Sequence, residues 1–300
     1  MRELRQLWRS AFGDTEQYIE YYFSEKAPGS RIVEDWEGQK LCSMAFFCPY
    51  DAYLYEKKIK LSYIVGVATE AAYRHQGRMR RMLEQGMKRE KEYNRPLVFL
   101  SPVDPAIYEP FGFQSVYWRD TLLLHDRKAP LHRVRVPMQS SPGARFSPAG
   151  KVLRWSELSE REKIQVSRFA EEILQSEKFD LRLEHGVAYY EQVDKEMKVL
   201  GGSVLTFWYE QKLQAVANWI CEEDKNEVTE WISVPVNREK LLQELQNYVK
   251  GDVSVEDTYF LQGIKLQGCE WQKQKYPYLM VRMLDSRMPV PERCYINDIT

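Results

Sequence analysis

The sequence lacks the charge excess and the long apolar runs that mark nucleic-acid-binding and membrane-spanning proteins. Its 300 residues carry 43 Lys and Arg against 44 Asp and Glu, a formal net charge of -1 at pH 7. This balance argues against a strongly electrostatic nucleic-acid binder, so no nucleic-acid partner is predicted. No stretch approaches the roughly 20 apolar residues that cross a bilayer, and arginines interrupt the first apolar run, so neither a membrane anchor nor a signal peptide is expected.

Cysteine and the common metal and hydrolase motifs are also scarce or absent. The five cysteines are odd in number and form no Cys-x-x-Cys pair, which argues against both a disulfide framework and a thiolate zinc site. His-Glu-x-x-His is absent, so no metal is predicted, and the lack of Gly-x-Ser-x-Gly argues against a serine hydrolase. We therefore expect reduced thiols and a cytoplasmic protein.

Apolar spacing predicts two units with the same order of elements, on either side of a turn-rich segment at 138–150. In the first unit, helices are predicted at 4–12, 18–23 and 78–93, and strands at 31–37, 40–50, 58–68 and 97–100. In the second unit, helices are predicted at 157–175, 187–199 and 238–248, and strands at 203–209, 213–221 and 227–234. The units share a pattern rather than letters, and the pattern predicts an α+β protein with mixed, mostly antiparallel sheets flanked by helices.

The loop between the third strand and the next helix is the most informative segment. A strand ending near Thr69 leads through a bend to Gly77, and the helix begins at Arg78. The first N–H groups of a helix lack intrahelical partners and the helix dipole adds partial positive charge, so main-chain amides can hold a diphosphate there. Gly77 lets the backbone approach phosphate oxygens, and Arg74, Arg78 and Arg80 add cationic donors. Neither the Walker pattern nor the three-glycine dinucleotide fingerprint is present.

This loop resembles the coenzyme A loop of the GNAT acetyltransferase superfamily. The pattern there is Arg or Gln, two residues, Gly, one residue and a small residue, and its places are occupied here by Arg74, Gly77 and Met79. Met79 departs from the small residue, but the enhanced intracellular survival branch of the superfamily tolerates a large apolar residue at that place. The segment 107–113, Ile-Tyr-Glu-Pro-Phe-Gly-Phe, is similar to the same branch, as are the segments 7–23 and 280–285.

The resemblance implies a tandem architecture of GNAT-like acetyltransferase domains. An acetyl-CoA-binding domain is expected at 1–137 and a second GNAT-like domain at 138–275. A short C-terminal extension at 276–300 would resemble the truncated start of a sterol-carrier-like domain. In the second unit, the strand passes through Pro235 to a helix at Arg238 with no intervening glycine, so we expect this domain to bind no cofactor.

The resemblance further implies an N-acetyltransferase that moves acetyl from acetyl-CoA, its co-substrate, to a primary amine by direct attack. The acceptor would be a small amine, an aminoglycoside-like compound or a lysine side chain. Tyr108 matches the general acid that protonates the departing thiolate. The carboxylate of Thr300 matches the base that takes the proton of the amine, with Asp104, Glu109 or a water chain as alternatives. The residues implied to contact the cofactor are Val67, Ala68 and Thr69 at the pantetheine, His75, Gln76, Gly77, Arg78, Met79 and Arg80 at the diphosphate, and Val103 and Asp104 between two splayed strands.

Two other functions fit the same residues. One is a non-catalytic protein that binds coenzyme A, and the other is a tRNA-dependent aminoacyl transferase of tandem GNAT-like fold. The near-zero net charge favours a small thioester donor over RNA. The identity of the acceptor amine and the oligomeric state, a homo-oligomer included, are left open.

Overall fold

The structure, a computed structural model, describes residues 1–125, 150–223, 225–256 and 259–297. The helices are α1 (Arg2–Ala11), α2 (Glu16–Tyr21), α3 (Arg78–Glu92), α4 (Pro105–Tyr108), α5 (Glu160–Ser176), α6 (Val187–Val199) and α7 (Arg238–Val249). The strands are β1 (Arg31–Glu37), β2 (Lys40–Leu54), β3 (Lys57–Thr69), β4 (Leu97–Leu100), β5 (Gln114–Tyr117), β6 (Asp120–Leu124), β7 (Lys151–Arg154), β8 (Leu181–Leu183), β9 (Ser203–Tyr209), β10 (Lys212–Glu222), β11 (Lys225–Ser233), β12 (Val253–Glu256), β13 (Cys269–Lys273), β14 (Leu279–Met283) and β15 (Cys294–Tyr295).

The chain divides into two compact units, each assembled from separate stretches. Unit 1 contains Met1–Arg119, Leu174–His185 and Gln274–Thr300, and unit 2 contains Asp120–Ile173 and Gly186–Lys273. This division differs from the contiguous domains expected from the sequence, with boundaries at 137 and 275. Strand β6, expected in the first domain, pairs within the sheet of unit 2, and β14 and β15, expected in a C-terminal extension, pair within the sheet of unit 1.

The sheet of unit 1 has the strand order β15-β8-β2-β3-β4-β14-β5, and β1 also pairs with β2. Strands β1, β2 and β3 form an antiparallel meander. Strand β4 lies parallel to β3, and α3 is the crossover helix that a parallel neighbour requires. All four residues of β4 are buried, which explains its continuous apolar sequence.

Two helices cover this sheet because each carries one apolar face. Helix α1 buries Leu4, Leu7 and Trp8, and the Trp8 ring lies 4.4 Å from the ring of Tyr22 and 5.7 Å from that of Phe46. The buried residues of α3 are Met82, Leu83, Gly86, Met87 and Glu90. The last of these is a buried carboxylate that needs partners, since an unpaired buried charge is strongly destabilising.

Arg31 and Ser62 supply those partners for Glu90. Arg31 donates from Nε to Oε1 of Glu90 at 2.6 Å and from Nη2 to Oε2 at 2.5 Å. Ser62 donates from Oγ to Oε2 of Glu90 at 2.5 Å. Because these contacts join α3 to β1 and β3, they fix the position of the crossover helix on the sheet.

The sheet of unit 2 has the strand order β13-β6-β12-β11-β10-β9-β7. Strands β9, β10 and β11 form an antiparallel meander, β12 is parallel to β11, and α7 lies between them in sequence. Strand β6 lies beside β12 in this sheet, as β14 lies beside β4 in the sheet of unit 1. The two units therefore share one plan, a meander followed by a helical crossover and an antiparallel neighbour.

The predicted helices and strands are confirmed within a few residues, with β1 and β4 at their predicted bounds. Residues 138–149 of the turn-rich segment and Thr300 lie outside the described residues. None of the five cysteines forms a disulfide. Within the described part of the chain, no helix combines the length and the apolar character needed to cross a membrane.

Candidate active site

The end of β3 separates from β4. The two strands pair at Ser62–Val98 and Tyr63–Phe99, after which β3 continues to Thr69. Beyond Tyr63, β3 pairs with β2 on one side, and no strand among the described residues pairs with it on the other. The segment Val67–Thr69 therefore presents one open backbone edge.

A β-bulge at Gly66 shapes this open end. In the pairing of β2 with β3, Met44 faces Ala68 but Phe46 faces Val65, so β3 carries an extra residue between these pairs. Gly66 has φ +61, and a Cβ there would lie 2.5 Å from a ring carbon of Trp8. Only glycine meets both constraints, so the bulge depends on Gly66 and on the α1 ring that backs it.

The strand end is held by its own neighbours. Ser43 donates from Oγ to the carbonyl oxygen of Ala68 at 2.9 Å and lies 2.8 Å from Oγ1 of Thr69. Arg74 donates from Nε to the carbonyl oxygen of Thr69 at 3.1 Å. These contacts fix the direction of the open edge and bring the start of the loop back to the strand.

The N-terminus of α3 follows this loop and has no side-chain cap among the described residues. Its N-cap residue, Gly77, is left-handed with φ 72 and ψ 9, and the first helical hydrogen bond runs from the N–H of Arg81 to the carbonyl of Gly77 at 3.1 Å. The main-chain N–H groups of Arg78, Met79 and Arg80 therefore lack intrahelical partners. Together with the helix dipole they can bind an anion such as a diphosphate.

The side chain of Arg78 points to β1 rather than to this N-terminus. Its guanidinium pairs with Asp35 at 3.2 Å and with Glu37, stacks 4.9 Å from the Tyr73 ring, and the side chain is only 10% exposed. The guanidinium of Arg81 also lies 3.6 Å from Asp35. Arg78 can therefore contribute its main-chain N–H to an anion, whereas its charge is already neutralised by carboxylates.

The other predicted loop residues are more accessible. Arg74, His75, Gln76 and Arg80 are exposed, and Met79 is half-buried. His75 is left-handed with φ 62, and Gln76 donates to the carbonyl of Ala72 at 3.2 Å. The loop thus offers two exposed cations, Arg74 and Arg80, beside the uncapped amides.

Tyr108 ends the short helix α4. Asp104 caps this helix by accepting the N–H of Ala106 at 3.0 Å, which gives its carboxylate a structural role, and Val103 is 89% exposed. The Tyr108 ring packs edge-on against buried Phe113, with centroids 5.9 Å apart. Burial raises the pKa of Tyr108 above its ordinary value, so the phenol is protonated at neutral pH.

One contact joins this turn to α3. The guanidinium of Arg80 lies over the ring of Phe111, 4.8 Å from its centroid, and also 3.4 Å from Glu84. The structure therefore brings the predicted strand end, the uncapped helix start and the Tyr108 turn into one neighbourhood of unit 1. The described residues end at Asn297, so Thr300, the residue expected to supply the base, lies outside them.

The last described residues are held within unit 1. Strand β15 pairs with β8. Buried Arg119 donates from Nη2 to the carbonyl oxygen of Ile296 and to Oδ1 of Asn297, both at 2.8 Å, and its guanidinium stacks 3.5 Å from the Tyr278 ring centroid. Sequence reasoning missed Arg119, because no local pattern marks a contact between distant residues. It also missed Gly66, although a glycine inside a strand pattern is a recognised sign of a bulge.

Unit 2 has its own crossover. Helix α7 begins after Asn237, which is left-handed with φ 64 and ψ 18, much like Gly77. An open cleft of about 750 Å³ adjoins this helix start and is lined by Pro235, Asn237, Arg238, Glu239, Lys240, Gln243, Gln262, Gly263 and Ile264. On β11, buried Glu230 accepts a hydrogen bond from Asn218 Nδ2 at 2.9 Å.

Comparisons with known proteins agree with this geometry. Residues 1–116 match the family model described as acetyltransferase (GNAT) domain. No curated protein matches the chain significantly. Among solved structures, a conserved protein of unknown function from Enterococcus faecalis V583, titled a probable N-acyltransferase, is similar with a TM-score of 0.71 at 14% identity, over 95% of this chain and 70% of that chain.

Two further solved structures are similar over most of the chain. A GCN5-related N-acetyltransferase from Kribbella flavida has a TM-score of 0.61 at 13% identity, over 95% of this chain and 70% of that chain. Eis1 from Mycobacterium abscessus has a TM-score of 0.61 at 8% identity, over 95% of this chain and 71% of that chain. At these identities the similarity shows the fold. It confirms the predicted α+β class and the likeness of the fold to the enhanced intracellular survival (Eis) branch.

Proposed function

We propose that this chain transfers acetyl from acetyl-CoA to a primary amine by direct attack. The match of residues 1–116 to the acetyltransferase (GNAT) domain supports an acyltransferase. The observation that carries this proposal is the open edge of β3 followed by the uncapped N-terminus of α3. An extended pantetheine arm can pair with the open edge, and a diphosphate can accept hydrogen bonds from the free main-chain N–H groups of the helix.

The proposed chemistry needs one acid and one base. The amine nitrogen attacks the thioester carbon, the carbon–sulfur bond breaks as the tetrahedral intermediate collapses, and the acetyl group remains on nitrogen. Tyr108 donates a proton to the departing thiolate, a role supported by its protonated, half-buried phenol. The amine loses its proton to the proposed base, the carboxylate of Thr300. Asp104 is a weaker alternative because its carboxylate already caps α4.

The acceptor class follows the same proposal: a small amine, an aminoglycoside-like compound or a lysine side chain. A lysine-like amine, with a pKa of about 10.4, is almost entirely protonated at neutral pH. The reaction should therefore accelerate as the pH rises toward the pKa of the acceptor, as long as Tyr108 stays protonated.

Two measurements test the proposal. Isothermal titration with coenzyme A should give one site per chain, and thiol release from acetyl-CoA should require an amine from a panel of polyamines, aminoglycosides and lysine peptides. Binding without thiol release would support a non-catalytic coenzyme A-binding protein instead. Absence of any binding to coenzyme A or acetyl-CoA would overturn the proposal.

A further inference from the structure

The turn that carries Tyr108 ends in a glycine with two constraints. After α4, a 3-10 turn (Glu109–Phe111) leads to Gly112, whose φ is 77 and whose N–H bonds to the carbonyl of Glu109 at 2.8 Å. The N–H of Phe113 bonds back to the carbonyl of Tyr108 at 3.4 Å. The left-handed φ favours glycine, and the guanidinium beside Gly112 would have to move to admit a Cβ.

That space is filled by the guanidinium of Arg282. A Cβ on Gly112 would lie 2.2 Å from Nη1 and 2.8 Å from Cζ of Arg282. The same Nη1 donates a long hydrogen bond of 3.4 Å to the carbonyl oxygen of Gly112. A cation thus lies against the end of a helical turn, where carbonyl groups lack helical partners and carry partial negative charge.

Arg282 is held by a rigid part of unit 1. It belongs to β14, which pairs with β4 on one side and β5 on the other, and its direct partner on β4 is Val98. The preceding residues Met280 and Val281 are buried. The backbone of Arg282 is therefore fixed by strand pairing, and its guanidinium reaches from this strand to the end of the Tyr108 turn, which continues through buried Phe113 into β5.

The contact is poorly suited to a role in stability. Arg282 is exposed, and a single long hydrogen bond at the surface contributes little to folding. The contact does touch the turn of Tyr108 directly, because the Tyr108 carbonyl and the Gly112 backbone belong to the same closed turn.

A second cation, Arg80, touches this turn, but a substitution there cannot isolate the effect of positioning the turn. Arg80 lies over Phe111, and it is also one of the residues proposed to contact the diphosphate. A change at Arg80 would alter cofactor binding and the turn together, whereas Arg282 lies outside the loop from Arg74 to Arg80.

We propose that Arg282 is a positioning residue that holds the Tyr108 turn, through Gly112, where the phenol meets the leaving thiolate. This inference rests on the proposed acetyl transfer and names a contributor to it from the C-terminal part of the chain. Displacing a reacting group by about 1 Å can cost up to 10²-fold in rate, so even a small shift of the turn is measurable.

The kinetic test uses Arg282→Ala, Arg282→Lys and Tyr108→Phe, with Arg287→Ala as the matched control. Arg287 lies in the segment that follows β14 and pairs with Asp285 at the surface. Arg282→Ala should lower kcat about tenfold with KM for acetyl-CoA nearly unchanged, and Arg282→Lys should recover part of the loss. In the Tyr108→Phe background, Arg282→Ala should have no further effect.

A spectroscopic test does not depend on turnover. With 3-fluorotyrosine at position 108, the ¹⁹F resonance should shift or broaden in Arg282→Ala and stay in place in Arg287→Ala. If the wild type releases no thiol with any amine, the proposed function fails while the ¹⁹F comparison still decides whether Arg282 holds the turn. An unchanged resonance, or equal losses of kcat with and without Tyr108, would overturn the inference.

Discussion

The crossovers of the two units share a backbone plan and differ in what they offer a ligand. In each unit, the last strand of the meander carries a β-bulge near the point where it separates from its parallel neighbour. Strand β3 has its extra residue near Gly66, and β11 has its extra residue at Thr229. Each crossover helix then begins after a left-handed residue, Gly77 or Asn237. The strand separation and the bare helix start are therefore properties of the shared fold.

The side chains around these shared features differ sharply. The last residue of β3 that pairs with β4 is Tyr63, and two residues further β3 carries Val65. The last residue of β11 that pairs with β12 is Val228, and two residues further β11 carries the buried, hydrogen-bonded Glu230. Pro235 removes one N–H from the short connection to α7, while the longer connection to α3 carries Arg74. We therefore expect unit 1, rather than unit 2, to bind coenzyme A.

The largest effect is expected at Tyr108. Tyr108→Phe should lower turnover about 10²- to 10⁴-fold, the usual contribution of a general acid, with coenzyme A binding nearly intact. Steady-state thiol release and calorimetry measure the two quantities. Tyr276→Phe, at an exposed tyrosine of unit 1, is the control and should leave both unchanged.

The pH profile checks the same residue independently. Because burial raises the pKa of Tyr108, the phenol keeps its proton beyond the ordinary tyrosine value of about 10, and the wild-type rate should fall only above that pH. The fall should be missing in Tyr108→Phe. Turnover equal to wild type in that variant would exclude Tyr108 from the mechanism.

The bulge of unit 1 should be costly to alter. Gly66→Ala places a Cβ 2.5 Å from Trp8 and 2.9 Å from Phe46 at a φ of +61, so we expect a loss of about 2 to 4 kcal/mol in the free energy of unfolding. Gly38→Ala, with φ +60 but no neighbour within 4 Å, isolates the backbone part and should cost only about 1 kcal/mol. Urea denaturation compares them, and equal losses would show that the Trp8 contact is unimportant.

The helix starts can be compared by removing one N–H from each. Met79→Pro and Glu239→Pro occupy the same place in the first turns of α3 and α7, where proline is tolerated. A hydrogen bond to a charged group contributes about 1.5 to 3 kcal/mol, so Met79→Pro should weaken coenzyme A binding roughly 10- to 100-fold. Glu239→Pro should leave the affinity and a stoichiometry of one unchanged. A second equivalent of coenzyme A that Glu239→Pro abolishes would place a cofactor in unit 2.

The order of elements was predictable because local patterns encode it. The apolar stripe of α3 and the uniformly apolar sequence of β4 predicted the crossover of unit 1 nearly at its observed bounds. The place of β14 between β4 and β5 was not predictable, since a strand pattern says nothing about its partners and these strands lie far apart in sequence. Short strands such as β8 and β15 contain too few residues for any period to show.

In the candidate site, too, residues in contiguous motifs were predictable and long-range contacts were not. Gly77, Tyr108 and their neighbours belong to contiguous motifs, so sequence placed them on a loop and a turn that the fold brings together. The pairing of Arg78 with Asp35 depends on a distant strand, and for that reason a side chain expected at the diphosphate lies against β1. Long-range contacts of this kind decide which member of a basic loop keeps its charge available.

The smallest effects should come from exchanging the two left-handed N-cap residues. Asn237→Gly should change the free energy of unfolding by less than about 1 kcal/mol, since asparagine already tolerates this conformation. It should create no coenzyme A site, because Pro235 and Glu230 remain. Gly77→Asn should likewise fold, as a Cβ there comes no closer than 3.6 Å to Arg81, but its amide lies beside the free N–H groups and should weaken coenzyme A binding a few-fold. Calorimetry with coenzyme A measures both variants. A second binding site in Asn237→Gly would mean that glycine alone distinguishes the units. Unchanged affinity in Gly77→Asn would mean that the diphosphate does not approach the start of α3.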